Sequence, residues 1–312
     1  MQMVSFQHYG LFFAPAQVAA AQKYAKREPY QLAWEQLHQP PLADPISALL
    51  WEAFRYRFDE DKAVGAQAAE QLLNDLQVAP AASFLDQMMV LLVRAQIFEL
   101  VRDHPAATEA LQDRWLLKFG QQIEHLNETQ PSTYVEQIWL ALLKMAAGVV
   151  LEHEDLIQDS AAFYRQVIET AIHPRGYLLP LTESTAETGL QHTLLALKGL
   201  VLLAECGQQI GLDLWQYSQR NVSLVTAGLY PLYYYFYPEK WQWTDGLDQP
   251  EAERLFRLHG SYLEPLNRHI GKPTRAIDLI LKDLRPVVDV QGGGMLTLSH
   301  GVVIGRGPFG LF

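Results

Sequence analysis

Apolar residues recur at three- and four-residue steps along most of this chain, as far as Arg285. This spacing places them on one face of an α-helix, and the alternation typical of strands is rare. We therefore predict an all-α protein. The predicted helices span residues 45–58, 62–76, 82–102, 106–127, 133–151, 155–171 and 187–207.

The segments between these helices carry start and stop signals. Asp44 precedes Pro45, which predicts an N-cap followed by proline at the first helical position. Ser132 or Thr133 can cap the helix predicted for residues 133–151, with Glu136 placed to complete a capping box. The pair Cys206-Gly207 predicts the end of the last helix, because glycine is common there. Helices of this length joined by short loops indicate antiparallel pairs in one helical domain, residues 1–285.

The composition of the chain changes after Arg285. Residues 286–312 contain three consecutive glycines, 292–294, and further glycines beyond them. No P-loop lysine or strand-turn-helix context follows, so the glycines indicate tight turns and not a nucleotide loop. We predict an irregular tail with one short hairpin, packed on the same domain.

Length and charge exclude some functions. With 312 residues, 49% of them hydrophobic, the chain can bury a large core as a soluble globular protein. Its net charge of −11 disfavours nucleic acid or an anionic membrane as partner. A polyanionic sugar would need a local basic groove. The basic residues near the C-terminus could form that groove or a solvated helix face: Arg268, His269, Lys272, Arg275, Lys282 and Arg285.

Targeting signals are scarce. Cys206 is the single cysteine, so no internal disulfide is expected. The N-terminus lacks the features of a secretory signal, and no run of about 20 apolar residues predicts a membrane helix. The sequence as it stands predicts a cytoplasmic protein, or a periplasmic or secreted one if the chain is a processed form.

The stretch from Ile172 to Tyr217 has an order of residues that resembles the alginate lyase family, polysaccharide lyases with a toroid of paired helices. The matching positions are Pro180, Glu183, Leu190, His192, Ala196, Leu197, Leu200 and Glu205. The resemblance implies an incomplete (α/α) toroid that cleaves a uronic-acid polysaccharide by β-elimination. A second stretch, around Tyr134, resembles another helix of the family.

Several reactive positions of the family carry other residues in this chain. The family's arginine falls on Ser184 and its catalytic tyrosine on Gln191. Its histidine falls on Pro131 or Ser132, with Gln130 the nearest polar substitute. The resemblance therefore implies a substrate-binding role for Gln130, Gln191 and Tyr134, and leaves open whether catalysis persists.

Elimination at a uronate needs a cation for the carboxylate, a base for the C5 proton and an acid for the leaving oxygen. His192 is a candidate base, or a packed histidine bonded to a backbone carbonyl. Glu183 could orient that histidine or cap the helix start. Tyr177 and Arg175 are candidates for the acid and the carboxylate clamp, although a loop arginine is commonly just solvated.

The strongest general signal is a run of aromatic residues in which Tyr234 is a candidate sugar-stacking residue. The run comprises Tyr230, Tyr233, Tyr234, Tyr235, Phe236 and Tyr237, followed by Trp241 and Trp243. Consecutive aromatics on a helix point in several directions, so we expect most of them in the core or at its rim.

Three functions remain open. The first is a lyase acting on a uronic-acid polysaccharide, and the second is an inactive member of the fold that binds a carbohydrate or a protein. The third is a glycosidase with paired carboxylates. No cofactor is expected, and residues 152–155 are more typical of a helix junction than of a metal site.

Overall fold

The computed structural model describes residues 5–39, 44–76, 82–182, 189–243, 246–270 and 274–303, and helices account for most of them. The fold is all-α, as predicted. The first eight α-helices are α1 (Pro15–Lys23), α2 (Tyr30–Leu37), α3 (Pro45–Asp59), α4 (Lys62–Asn74), α5 (Phe84–Val101), α6 (Glu109–Asn127), α7 (Tyr134–Val150) and α8 (Glu154–Gln166). The remaining ones are α9 (Gly189–Gln209), α10 (Leu224–Leu229), α11 (Leu232–Phe236), α12 (Gln249–His259), α13 (Leu263–His269), α14 (Arg275–Leu284) and α15 (Leu296–His300).

Two short antiparallel ribbons complete the secondary structure of the described residues. The first pairs β1 (Ser218–Gln219) with β2 (Val222–Ser223). The second pairs β3 (Val288–Asp289) with β4 (Gly294–Met295) and is a hairpin of the kind predicted for the glycine-rich tail.

Local capping explains why the predicted starts of α3 and α7 agree with the structure. The Asp44 carboxylate accepts the Ser47 backbone N–H at 3.0 Å. At α7, the Thr133 hydroxyl accepts the Glu136 N–H at 3.1 Å, and the Glu136 carboxylate accepts the Thr133 N–H at 3.0 Å. Each bond satisfies a backbone donor that has no partner inside its helix, so the start is fixed by nearby residues.

The predicted end of α9 at Gly207 is wrong, because the helix continues to Gln209. Gly207 is buried inside the helix, where a Cβ would lie 2.8 Å from Leu214 Cδ1. Gly211 instead adopts the left-handed conformation, with φ of 82°, after the helix. Gly207 therefore serves close packing, and Gly211 serves the turn.

The helices from α3 to α9 form two layers of a toroid. Helices α3, α5, α7 and α9 contact one another in that order, while α4, α6 and α8 pack outside them. Most residues of α5, α7 and α9 are buried, as expected for an inner layer. Since short loops reverse the chain between successive helices, the four inner helices run in the same direction and begin at one end of the ring.

The tail fills the centre of the ring. Gln96 on α5 donates a hydrogen bond to the Gly293 carbonyl at 2.8 Å, and a Cβ on Gly294 would overlap the Phe54 ring on α3. A Cβ on Gly293 would lie 3.0 Å from Leu202 on α9. The three glycines thus serve close approach to three inner helices, in addition to the turns that were predicted.

Within the described ranges, none of the helices has the length and apolarity needed to cross a membrane.

Candidate functional site

The turn between α8 and α9 carries two of the predicted site residues, Arg175 and Tyr177. A backbone bridge joins Ile172 to Leu178, and the His173 N–H donates to the Tyr177 carbonyl at 2.9 Å. The Tyr177 ring stacks on the His173 ring with centroids 4.3 Å apart. Arg175, at the tip, is exposed. The turn therefore presents a cation to solvent and holds an aromatic ring beside it.

Gly176 explains how closely this turn approaches the chain around α10. It has φ of 102°, and a Cβ there would lie 2.7 Å from the Thr226 carbonyl oxygen and 2.8 Å from Tyr230 Cβ. Any side chain at residue 176 would push the turn away. The glycine therefore allows Tyr177 to reach Tyr230, with ring centroids 5.7 Å apart.

Five aromatic residues form what we call the aromatic cluster: Tyr177, Tyr230, Tyr234, Trp241 and Trp243. The Tyr177 centroid lies 5.1 Å from that of Trp243, and the Tyr230 centroid lies 5.3 Å from that of Tyr234. Trp241 packs edge-on against Tyr234 at 4.7 Å. The cluster joins two predicted site residues, Tyr177 and Tyr234, that are 57 positions apart in sequence.

Polar groups of the cluster meet at the Tyr230 hydroxyl. Its oxygen lies 3.0 Å from Tyr234 Oη, 3.2 Å from Trp243 Nε1 and 3.4 Å from Gln242 Nε2. Burial, and then the hydrogen bond to Tyr230, raise the pKa of Tyr234. Tyr230 and Trp243 are half-buried, so one face of the cluster is open to solvent.

The rest of the aromatic run divides between core and surface, as expected. Tyr235 is buried and donates a hydrogen bond to Asp283 at 2.9 Å. Burial and this bond raise the pKa of Tyr235 to about 12. Tyr233 and Tyr237, each 51% exposed, lie on the rim of the cluster with centroids 5.0 Å apart.

A second group of predicted residues lies where α7 and α9 begin. Tyr134 opens α7 and is half-buried, and burial raises its pKa. Gln191 and His192 are half-buried in the first turn of α9. The two helices pack side by side, since Trp139 Nε1 donates to the Leu195 carbonyl at 3.1 Å.

Burial lowers the pKa of His192, which favours the neutral imidazole that a base requires. Gln130 is exposed in the loop before α7. Glu183 and Ser184 lie outside the described residues, as does the chain that joins the two groups, residues 183–188.

A groove of about 290 Å³ opens between the start of α3, the middle of α5, the end of α12 and the tail. Asp44, Val90, Arg257 and Asp289 are among its lining residues. The Asp289 carboxylate accepts hydrogen bonds from Lys198 Nζ at 2.8 Å and from the Ser261 hydroxyl at 2.7 Å.

His259 lies close to this ion pair. Burial, and then the charge of Lys198, lower the pKa of His259 to about 4. The histidine is therefore neutral at neutral pH.

The basic run near the C-terminus does not form one groove in the structure. Arg285 makes a bidentate ion pair with the fully buried Glu264, at 2.7 and 2.9 Å. His269 Nε2 lies 2.7 Å from the buried Glu205 carboxylate. Arg285 and His269 are therefore paired with carboxylates of the fold itself. Lys272 lies outside the described residues.

Sequence reasoning did not single out Tyr230 or Trp243, although both belong to the aromatic run. The spacing of Tyr230 and Tyr234, one helical turn apart, is the signal that could have paired them. Within the described part of the chain, no group of three His, Cys, Asp or Glu side chains is placed to hold a metal ion.

Comparisons with known proteins give a family and a fold. The model of the family described as "Alginate lyase" matches residues 48–241. The solved structure of alginate lyase A1-III from Sphingomonas species A1 is similar, with a TM-score of 0.74 and 14% identity over 95% of this chain and 97% of that one. No curated protein matches the sequence.

Two further structures show the same fold. A Tyr-to-Phe variant of alginate lyase A1-III complexed with tetrasaccharide gives a TM-score of 0.74, with 13% identity over 96% of this chain and 99% of that one. An alginate lyase from Bacteroides ovatus gives 0.65, with 14% identity over 93% of this chain and 98% of that one. The toroid is therefore confirmed as the fold.

Proposed function

This chain belongs to the alginate lyase family, and from that membership we propose that it cleaves a uronic-acid polysaccharide by β-elimination. The same-fold structure that holds a tetrasaccharide supports an oligosaccharide as the ligand class. The proposed site comprises the turn at 173–177, the aromatic cluster and the starts of α7 and α9.

The reaction requires a positive charge near the substrate carboxylate, because removal of the C5 proton develops negative charge beside it. Arg175 supplies that charge at the exposed tip of the turn. The chain as a whole has a net charge of −11, so a local cation is needed to attract an acidic sugar. Arg257 adds a second cation in the groove between α3, α5, α12 and the tail.

The base and the sugar-binding surface come from the other predicted residues. His192 is half-buried with a lowered pKa, which suits it to accept the C5 proton near neutral pH. The open face of the aromatic cluster offers rings on which sugars stack. Gln191, Tyr134 and Gln130 can donate or accept hydrogen bonds with sugar hydroxyls.

The observation that carries the proposal is the family match, together with the contact between the Arg175 turn and the aromatic cluster. That contact supports a site in which a cation and stacking rings share one surface.

Absorbance of the unsaturated uronate product tests the proposal. Purified protein would be incubated with polymannuronate, polyguluronate and glucuronan, beside the His192→Ala variant. We expect product from at least one polymer, and a loss of about a hundredfold or more in kcat for His192→Ala. His125→Ala is the matched control, because His125 is exposed on α6 and lies outside the proposed site. A protein that binds a uronan but forms no product from any polymer would instead be the binding module.

A further inference from the structure

A polar pocket of about 290 Å³ lies at the C-terminal end of α9. The N-terminal segment closes over this end of the helix, since the Ser5 N–H donates to the Ile210 carbonyl at 3.2 Å. Glu205, in the lining of the pocket, lies about 20 Å from His192 along the helix axis. The pocket is therefore separate from the proposed lyase site. Its lining residues include Ser5, Gln7, Gln17, Glu205, Gln208 and Arg268.

Glu205, which is 1% exposed, lines this pocket with a carboxylate oxygen that accepts no hydrogen bond. Its Oε1 lies 2.7 Å from His269 Nε2. His300 Nε2 lies 3.3 Å from the other oxygen, Oε2, but outside hydrogen-bond geometry. Among the described residues, Oε2 therefore has no donor. A buried acceptor in this state is costly unless water or a ligand supplies one.

The carboxylate of Glu205 is ionised at neutral pH. Burial opposes ionisation, but the charges and hydrogen bonds of His300 and His269 outweigh it and lower the pKa of Glu205 to about 2. An ionised carboxylate can only accept hydrogen bonds, so the ligand that meets Glu205 must present a donor.

Gln17 adds a buried donor to the same pocket. It is 7% exposed, and its Oε1 accepts the Ala14 N–H at 2.7 Å. Its Nε2 donates to no residue of the described structure, so this amide N–H group is left for a ligand. A hydroxyl group can donate to a carboxylate and accept from an amide. A ligand with several hydroxyl groups therefore satisfies both Glu205 and Gln17.

The rim of the pocket carries a cation. Ser5, Gln7, Gln208 and Arg268 are exposed there. Arg268 makes no ion pair with any described residue, and a guanidinium binds a carboxylate through two parallel hydrogen bonds. A small inorganic anion would be repelled by Glu205. The two charges of opposite sign instead suit a ligand with hydroxyl groups at one end and an acid at the other.

One wall of the pocket is fixed before a ligand arrives. The His269 ring stacks on the Trp215 ring with centroids 4.0 Å apart, and its Nε2 contacts Glu205. These two contacts hold His269 in one orientation. A ligand that enters the pocket therefore loses little free energy in ordering this wall.

We propose that this pocket binds a sugar acid, one uronate residue, at a second site of the protein. Hydroxyl groups of the sugar ring bond to Glu205 and Gln17, and the sugar carboxylate bonds to Arg268. This inference goes beyond the proposed function, because binding here does not require that the protein cleaves a polymer.

An NMR titration of the full chain with D-glucuronate tests the proposal. The reporter is the indole N–H signal of Trp215, assigned with Trp215→Phe, because the Trp215 ring contacts His269. We expect this signal to shift with a Kd of about 1 mM or tighter. D-Glucose, which has CH₂OH in place of the carboxylate, is the matched neutral ligand and should bind about tenfold more weakly.

Two variants of the pocket separate its charged contacts. Arg268→Gln changes an exposed residue, and we expect it to raise the Kd for glucuronate about tenfold while the Kd for glucose stays the same. Glu205→Gln should weaken both ligands about tenfold, because it removes the ionised acceptor. The matched control is Arg175→Gln, which removes an exposed arginine of the proposed lyase site and should leave both Kd values unchanged.

Several results would overturn the inference. A Trp215 signal that does not move at about 20 mM glucuronate would mean that the pocket holds water only. Equal affinity for glucose and glucuronate, or an Arg268→Gln variant that binds like wild type, would remove the acid from the proposal. A shift caused by glycine and not by glucuronate would assign Glu205 to an ammonium group. Binding that is lost in Arg175→Gln would place the uronate at the lyase site.

None of these readouts depends on turnover. A protein that forms no product from any uronan but binds glucuronate in this pocket would overturn the proposed function alone. An active protein whose Trp215 signal stays unchanged would overturn the second site alone.

Discussion

The two ends of α9 hold ionisable side chains in opposite ways. At the start, His192 is half-buried, and burial alone lowers its pKa. At the other end, about 20 Å along the axis, Glu205 is buried between His269 and His300. Burial opposes ionisation of Glu205, but the two imidazoles outweigh it and lower its pKa to about 2.

The difference shows what burial does with and without a partner. A buried group without an opposite charge loses its charge, whereas one with such partners keeps it. The His192 end is therefore suited to proton transfer. The Glu205 end instead ties α9 to α13 and α15, because His269 and His300 belong to those helices. His300 Nε2 lies 3.3 Å from Glu205 Oε2 outside hydrogen-bond geometry, so this contact is mainly electrostatic.

Removing the Glu205 carboxylate should have the largest effect on stability. We expect Glu205→Ala to lower the free energy of unfolding by about 3 kcal/mol, because the buried His300 and the half-buried His269 lose their partner. Urea unfolding at neutral pH measures this change. The control is Glu128→Ala, which breaks an exposed pair with His125 and should cost less than about 0.5 kcal/mol.

The pH dependence of that contribution gives a second check. Since the folded pKa of Glu205, about 2, lies below the ordinary value of 4.5, the contribution is complete above pH 4.5. It is lost as the pH falls towards 2. The difference in unfolding free energy between wild type and Glu205→Gln should therefore shrink over that range. A difference that does not change with pH would contradict the ionised carboxylate.

A smaller loss of stability is expected from a glycine substitution in the tail. Gly294 and Gly211 both have φ of 82°, but a Cβ overlaps the Phe54 ring only at residue 294. Gly211→Ala should cost about 1 kcal/mol for its backbone alone. Gly294→Ala should cost about 2 kcal/mol in total, because about 1 kcal/mol for overpacking is added to the backbone cost. Thermal unfolding of the two variants measures the difference, and equal costs would show that the tail yields to the added methyl group.

The smallest expected effect is the titration of His192. Because burial lowers its pKa, the NMR titration midpoint of its imidazole should lie below the ordinary value of 6.5. The neutral base then persists to a lower pH, and the acid limb of kcat should follow the same midpoint. A midpoint above 6.5 would indicate a carboxylate partner and would remove the contrast between the two ends of α9.

The sequence was sufficient for the helices from α3 to α9 because most of their ends are determined locally, whereas the shorter helices before and after them were not located. Asp44 and Thr133 each cap a helix through residues three positions away, so a short window of sequence contains the signal. The end of α9 was predicted wrongly because the function of Gly207 depends on Leu214, which comes from the chain beyond the helix. A glycine used for packing and one used for a turn look the same in sequence.

The candidate site could be predicted only in part for the same reason. Tyr177 and Tyr234 were chosen from local patterns, and the structure brings them into one cluster. Tyr230 was not chosen, because its hydroxyl gains importance only from Trp243 and Gln242, which are more than ten positions away. Likewise, Arg285 looked like a surface cation until its partner Glu264 was known.

The tail at the centre of the ring has a consequence for recognition. A filled, close-packed interior resists inward movement of the inner helices, so the groove bordered by Asp44 and Asp289 is held at its width by packing. A ligand that entered this groove would meet a preformed surface and would pay little conformational entropy for ordering it. Under the proposed function, selectivity among sugars would then come from side chains and loops, and not from opening and closing of the ring itself.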